Sequence, residues 1–319
     1  MATANQIKML VEAHVLNNEE RFRTIVLQLA AHEAKLGHTS FARELRDILN
    51  KPQNKDIPII QFNKDVNELI GISLEYHKLT ELVVSEEIKE RIRRILNEYE
   101  SREKLRRHGL VHRRKILLEG PPGTGKTMTA SIVAMETGLP LCTIKMDKLM
   151  TKYMGETGTK LRAIFDAINE NSAVYFFDEF DAIGTNRNVD NDVGEIRRVL
   201  NLFLQFIEQD DSESIIIAAT NNSRMLDPAL FRRFDDVIHY SLPDEEQIPN
   251  LLKNRLGQFA PNDLDKSMEN FISTGKNLSH AELSKACDDA VKETIINDKK
   301  TVQSDLLLKM IKEKISAYI

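Results

Sequence analysis

Residues 120–127, GPPGTGKT, match the pattern G-x-x-x-x-G-K-[ST] and stand where that pattern has a mechanism. An apolar run, residues 115–118, precedes them, and a helical stretch, residues 128–137, follows. A strand that turns into a helix through glycine-rich backbone gathers main-chain N–H groups in front of the positive end of the helix dipole, which is an arrangement that binds phosphate. In it Gly120, Pro121, Pro122, Gly123, Thr124 and Gly125 wrap the phosphates and Lys126 reaches the β and γ phosphates. Thr127 offers its hydroxyl to Mg²⁺, and Met128 leads into the helix.

The pattern around the loop sets the fold class. Three more short apolar runs follow, at residues 141–145, 173–177 and 214–219, each separated from the next by an amphipathic helical stretch. Apolar runs alternating with helices predict an α/β fold whose parallel sheet is covered on both faces. From Glu245 onward the periodicity is helical only, over residues 247–259, 267–274, 280–297 and 302–315, which predicts an all-α lid. Upstream, residues 6–50 read as three short helices. Residues 51–65, with two prolines and little periodicity, read as a linker, and residues 85–107 read as one long charged helix burying Ile88, Ile92, Ile95, Leu96 and Tyr99. The expected division is a helical module over 1–55, a nucleotide-binding α/β part over 56–243 and the lid over 244–319.

Residues 174–181, VYFFDEFD, bring two acids to the carboxyl end of a strand, the edge at which open α/β sheets bind ligands. Asp178 is suited to holding Mg²⁺, and Glu179 to orienting and deprotonating an attacking water. The next strand ends at Asn221, which reads either as a group that senses the γ-phosphate or as a turn cap. Within residues 230–235, LFRRFD, Arg232 and Arg233 sit between Phe231 and Phe234. Guanidinium groups held there suit the charge of a transferring phosphoryl group, with a surface ion pair to Asp235 or Asp236 as the other reading.

Composition removes several function classes. Forty-four basic against 49 acidic residues leave a net charge of −5, which gives no overall pull toward nucleic acid or anionic lipid. The basic run from Lys89 to Lys115 has only Tyr99 as an interleaved aromatic and reads as a solvated helix face, so nucleic acid is not an expected partner. Cys142 and Cys287 fit neither a disulfide framework nor a zinc site. No stretch approaches eighteen consecutive apolar residues and no secretory leader opens the chain, so the expectation is a cytoplasmic protein with no membrane partner.

In this order and spacing, GPPGTGKT, VYFFDEFDAIGTNR, AATNN, LDPALFRRFD and LPD closely resemble the AAA+ ATPase family, within its AAA subgroup, from about residue 79 to residue 290. The resemblance implies that residues 120–127 are Walker A, Asp178 and Glu179 Walker B, and Asn221 sensor 1. It also implies that Arg232 and Arg233 act on ATP bound to a neighbouring copy, which requires a homo-oligomeric ring, usually a hexamer. Lys152, Tyr153, Met154 and Gly155 resemble the pore loop of members that thread protein, implying a motor that remodels, unfolds or disassembles a partner protein. The sequence departs from the family in three places. The two arginines are contiguous. In NLSHAEL, residues 277–283, Ala281 matches an adenine-contacting position while His280 stands where glycine is usual, and no sensor-2 arginine is offered. There is neither a second ATPase cassette nor an H-E-x-x-H protease motif. The chain looks most like the small single-ring bacterial AAA ATPases, some of which are encoded beside subtilisin-like proteases. A nucleotide-dependent regulator of a protease with little threading, and a DNA-handling ATPase, are the other functions considered.

Overall fold

The computed structural model describes residues 8–11, 19–35, 38, 41, 60, 62–73, 77–150, 154–183, 193–221 and 231–316. The chain divides into two compact units, Met1–Asp56 and Ile57–Ile319. In the first, residues 8–11 are helical and helix α1 (Glu19–Lys35) buries Ile25, Val26, Leu29 and Ala30, which lie on one face at a spacing of about one turn. Apart from Phe41, the expected third helix lies outside the described residues, as do residues 51–59 of the expected linker.

The linker expected to reach Asp65 instead gives way to structure at Lys64. Asn63 caps helix α2 (Lys64–Leu69), its Oδ1 accepting from the Val66 N–H at 3.0 Å, and the chain runs straight into strand β1 (Ile70–Ser73). Ser85 caps helix α3 (Glu86–Glu100), which buries the expected Ile88, Ile92, Ile95 and Tyr99. The single long helix expected through residue 107 is two, because Ser101 leaves helical geometry before α4 (Arg102–Arg107). The α/β alternation then proceeds through β2 (Lys115–Glu119), α5 (Lys126–Thr137), β3 (Leu141–Ile144), α6 (Met146–Leu149), α7 (Met154–Glu170), β4 (Val174–Phe177), α8 (Val193–Gln209), β5 (Ile215–Thr220) and β6 (Asp236–His239).

These strands form one sheet in the order β1-β3-β4-β5-β2-β6, parallel except for β1, which runs antiparallel to β3 along an edge. Successive residues of a strand face opposite sides, and the core follows that rule. Tyr175 and Phe177 of β4 pack with α2, α7 and α8 on one face, while Val174 and Phe176 pack with α3 and α5 on the other. Both layers are buried, which is why these strands read as unbroken apolar runs. A separate core joins the helices α9 (Gln247–Leu256), α10 (Leu264–Gly275), α11 (His280–Ile296) and α12 (Ser304–Ser316) through Leu252, Phe271, Leu283, Leu307 and Ile311. Cys142 and Cys287 are buried free thiols that burial pushes up to about 12, and no described helix is long and apolar enough to cross a membrane.

One buried ion pair secures the sheet edge opposite the phosphate loop. Arg114, just before β2, bonds the carboxylate and the main-chain carbonyl of Asp210, just after α8, and the Asp210 side chain is 1% exposed. Removing one member of such a pair strands the other charge in low dielectric. Arg114→Ala is expected to lower stability by about 3–5 kcal/mol, read as a shift of the urea midpoint at unchanged slope.

Candidate active site

Three parallel strands deliver the chemistry to one edge. β2 enters the phosphate loop, β4 ends at Asp178 and Glu179, and β5, beside β2, ends at Asn221. The loop is held from several sides. Gly120 N–H donates to the Thr220 carbonyl at 3.2 Å, and Thr124 Oγ1 donates to the Pro121 carbonyl at 2.8 Å. Gly120 (φ +148°) has no room for a side chain, since a Cβ would collide with the main chain of Tyr240. At Gly123 (φ +72°) a Cβ would come within 2.7 Å of Ser279 Oγ. These two positions need glycine for space as well as for φ.

Lys126 opens α5 and is 6% exposed. Its ammonium donates to the Gly120 and Pro121 carbonyls at 2.7 and 2.8 Å and to Asn221 Oδ1 at 2.8 Å, which joins the loop to the end of β5. Burial lowers its pKa, and the carboxylates of Asp178 and Asp181 oppose that shift. Beside it, Thr127 Oγ1 donates to Asp178 Oδ2 at 3.1 Å. A hydroxyl and a carboxylate side by side are hard oxygen donors of the kind that Mg²⁺ shares with substrate phosphates. Among the described residues no group of three or more His, Cys, Asp or Glu could cage a metal on its own. The donor set therefore fits an ion that takes its remaining ligands from phosphate and water.

Glu179 is exposed and holds φ +50°, a left-handed conformation that a non-glycine residue adopts at a cost. Its N–H donates to Asp178 Oδ1 at 2.9 Å, so the turn that aims the second acid is built from the first. Asn221 N–H lies 3.4 Å from Asp181 Oδ1. Such strain is found where surrounding structure fixes a functional group.

Loop and acids border a cavity of about 820 Å³, lined by Gly123 to Met128, Asp178, Glu179 and Asn221 on one side and by Leu82, Val83, Leu251, Asn254, His280 and Ala281 on the other. The lid reaches the phosphate loop directly. Ser279 caps α11 in a capping box with Glu282, and the Ala281 N–H then donates to the Gly123 carbonyl at 3.0 Å. Arg255 of α9 also borders the cavity, but its guanidinium is turned to Asp288 of α11 in a paired contact of 2.6 Å for each bond.

The described residues named from sequence for the nucleotide, the metal and the attacking water thus converge, while the two arginines do not. Arg232 and Arg233 are exposed and do not line the cavity. Phe234 is buried beside them, Asp235 accepts the N–H groups of Arg114 and Lys115 at 2.9 Å each, and Arg233 pairs with Glu208 at 3.0 Å. Lys152 and Tyr153 lie outside the described residues, and Met154 and Gly155 begin α7. Sequence reading missed Leu82, Val83, Leu251, Asn254 and Arg255, because their positions carry no local chemical pattern and meet only in the folded chain.

Comparison with known proteins agrees with this geometry. Residues 116–242 match the AAA family, described as the ATPase family associated with various cellular activities. An uncharacterized AAA family ATPase of Sinorhizobium fredii, y4kL, is 34% identical over 310 residues, covering 95% of this chain and 92% of its own length. This chain belongs to the AAA ATPase family. It is an ATP hydrolase built on the fold described above. Other AAA relatives are matched over less of their length. A putative 26S proteasome regulatory subunit homolog of Methanocaldococcus jannaschii is 29% identical over 72% of this chain and 62% of its own length. The ATP-dependent zinc metalloprotease FtsH 3 of Sphaerobacter thermophilus is 35% identical over 64% of this chain and 42% of its own.

Proposed function

We propose that this ATPase works as a homo-oligomeric ring, six copies in number, in which hydrolysis of Mg²⁺-bound ATP remodels a partner protein. The observation that carries the reading is the position of the two arginines. The cavity gathers Lys126, Thr127, Asp178, Glu179 and Asn221, while Arg232 and Arg233 are fixed on a pinned turn, exposed, and away from that cavity. Two exposed guanidinium groups outside the chain's own cavity support a reading in which they serve a neighbour's.

In this reading, Lys126 exchanges its bonds to the loop carbonyls for oxygens of the β and γ phosphates, and the main-chain N–H groups from Gly123 to Thr127 hold the chain of phosphates. Thr127 and Asp178 would hold Mg²⁺, which would supply charge neutralisation at the phosphate oxygens. Glu179 takes a proton from the water that attacks the γ phosphorus as the bond to the β-phosphate oxygen breaks and ADP leaves. Asn221, already bonded to Lys126, keeps the lysine and the water in register. The neighbouring arginine meets the charge that spreads over the phosphoryl oxygens.

The named activities of relatives among proteasome subunits and a metalloprotease support a protein as the object of this work. Lys152, Tyr153, Met154 and Gly155 are the segment proposed to grip it, with Tyr153 as the contact. ATPase activity per copy is expected to rise with protein concentration and level off as rings fill. Tyr153→Ala is expected to leave that activity within about threefold while abolishing ATP-dependent unfolding of a tagged model substrate. Full processing by Tyr153→Ala would instead support a regulator that threads little.

A further inference from the structure

Tyr240 directly follows β6, is 5% exposed, and meets the phosphate loop twice. Its N–H donates to the Glu119 carbonyl at 2.6 Å at the end of β2, and its main chain lies so close to Gly120 that no Cβ fits there. Its side chain reaches α5 beyond the loop, where the phenol oxygen lies 2.6 Å from Thr129 Oγ1 in a buried pair. One residue therefore holds the segment where it leaves β2 and again where it becomes a helix.

Proton supply fixes the direction of the second contact. Thr129 has one hydroxyl proton and donates it to the Gly125 carbonyl at 3.0 Å, so toward Tyr240 its oxygen can only accept. The phenol O–H thus donates to Thr129, and Thr129 to Gly125, whose carbonyl also accepts the Thr129 N–H at 2.9 Å. Each hydroxyl polarises the next, which strengthens such a chain in a low-dielectric interior. The chain ends on the peptide that joins loop to helix. That unit is planar and trans, so its carbonyl and its N–H point opposite ways, and anchoring the Gly125 carbonyl into α5 aims the Lys126 N–H out of the helix toward the loop. A first-turn N–H has no partner within its own helix, and Gly125 has no side chain to cap it.

We infer that Tyr240 is a positioning residue for ATP: through Thr129 it orients the Gly125–Lys126 peptide so that the Lys126 N–H is set for a phosphate oxygen before nucleotide arrives. This rests on the reading of residues 120–127 as the phosphate loop. A Tyr240 that only supported the fold would contribute to stability alone, whereas a positioning one adds to the affinity for anything that carries the phosphates. A main-chain N–H holds its phosphate oxygen in the ground state and the transition state alike, so the loss on removing the phenol falls on Kd and KM rather than on kcat.

The test measures equilibrium affinities of the full chain for ATP and for inorganic tripolyphosphate, a probe of the loop without base or ribose, beside steady-state kinetics and the thermal midpoint. Tyr240→Phe deletes the phenol O–H and keeps the ring. It is expected to weaken both affinities by about three- to tenfold, the range for one hydrogen bond, and to raise KM in step with kcat within about twofold. Thr129→Val, close to threonine in shape, should lose at least as much, and Thr129→Ser, which keeps the hydroxyl, should bind nearly as the native chain does. Adding Tyr240→Phe to Thr129→Val should cost nothing further in affinity, since the two hydroxyls act in one chain. Unchanged tripolyphosphate affinity in Tyr240→Phe overturns the proposal even if the thermal midpoint falls, because that is the mark of a structural role only. A second full loss in the double variant overturns it too, as does Thr129→Ser binding as weakly as Thr129→Val. A native chain that binds neither ATP nor tripolyphosphate overturns the reading of the loop, and the proposal with it.

Discussion

Glu179→Gln is expected to bind ATP as the native chain does and to hydrolyse it 10²- to 10⁴-fold more slowly, the contribution typical of a positioned general base. The substitution exchanges one carboxylate oxygen for an amide nitrogen at an exposed side chain and leaves untouched the hydrogen bond from the Glu179 N–H to Asp178 that sets the turn. Shape, loop and metal-holding oxygens stay in place, so the loss falls on the proton transfer. Single-turnover hydrolysis measured beside equilibrium ATP binding separates the two. Native turnover in this variant would assign the base to another group, with Asp181, whose carboxylate lies near the end of β5, next in line. The bound, uncleaved state should also hold ring and partner together long enough for the partner to be isolated.

Replacing both Arg232 and Arg233 by alanine is expected to reduce turnover by about 10³ to 10⁵, which is the range for loss of an arginine finger and corresponds to roughly 4–7 kcal/mol of barrier. ATP binding should be nearly unaffected, because neither side chain borders the chain's own cavity. The pair is not symmetric. Arg233 is held by Glu208, an exposed ion pair worth little in stability but enough to bias its direction, whereas no described residue bonds Arg232. Arg232→Ala alone should therefore account for most of the loss. A double variant that binds and turns over ATP normally would remove the need for a second copy.

Much of this site could be read directly from sequence, since its chemistry demands particular residue types at short spacing. The phosphate loop, the acids after β4 and Asn221 after β5 each sit at the end of a strand whose unbroken apolar run marks it as central. The edges were harder. Ile70–Ser73 is four residues long, contains a glycine and leaves Ile72 exposed, and Asp236–His239 is buried at only one of four positions, so neither carries the pattern of a central strand. Their strand character comes from pairing with β3 and β2. The same non-local assembly hid the far wall of the cavity. Leu82 and Val83 precede a helix, Leu251 and Asn254 lie on α9, and only the seating of the lid on Gly123 brings them together with His280. The break at Ser101 went unseen because the charged pattern runs through it without a proline or glycine.

The proposed composite site can be tested by mixing two chains that are each expected to be inactive. Lys126→Ala has no working phosphate loop but keeps its arginines, and Arg232→Ala/Arg233→Ala has the loop but no arginine to lend. When they are combined at increasing ratios, ATPase activity is expected to appear and to pass through a maximum, since only mixed rings place an intact loop beside an intact arginine. Co-assembly confirmed by sedimentation, with activity no higher than the sum of the separate chains at any ratio, would contradict the account.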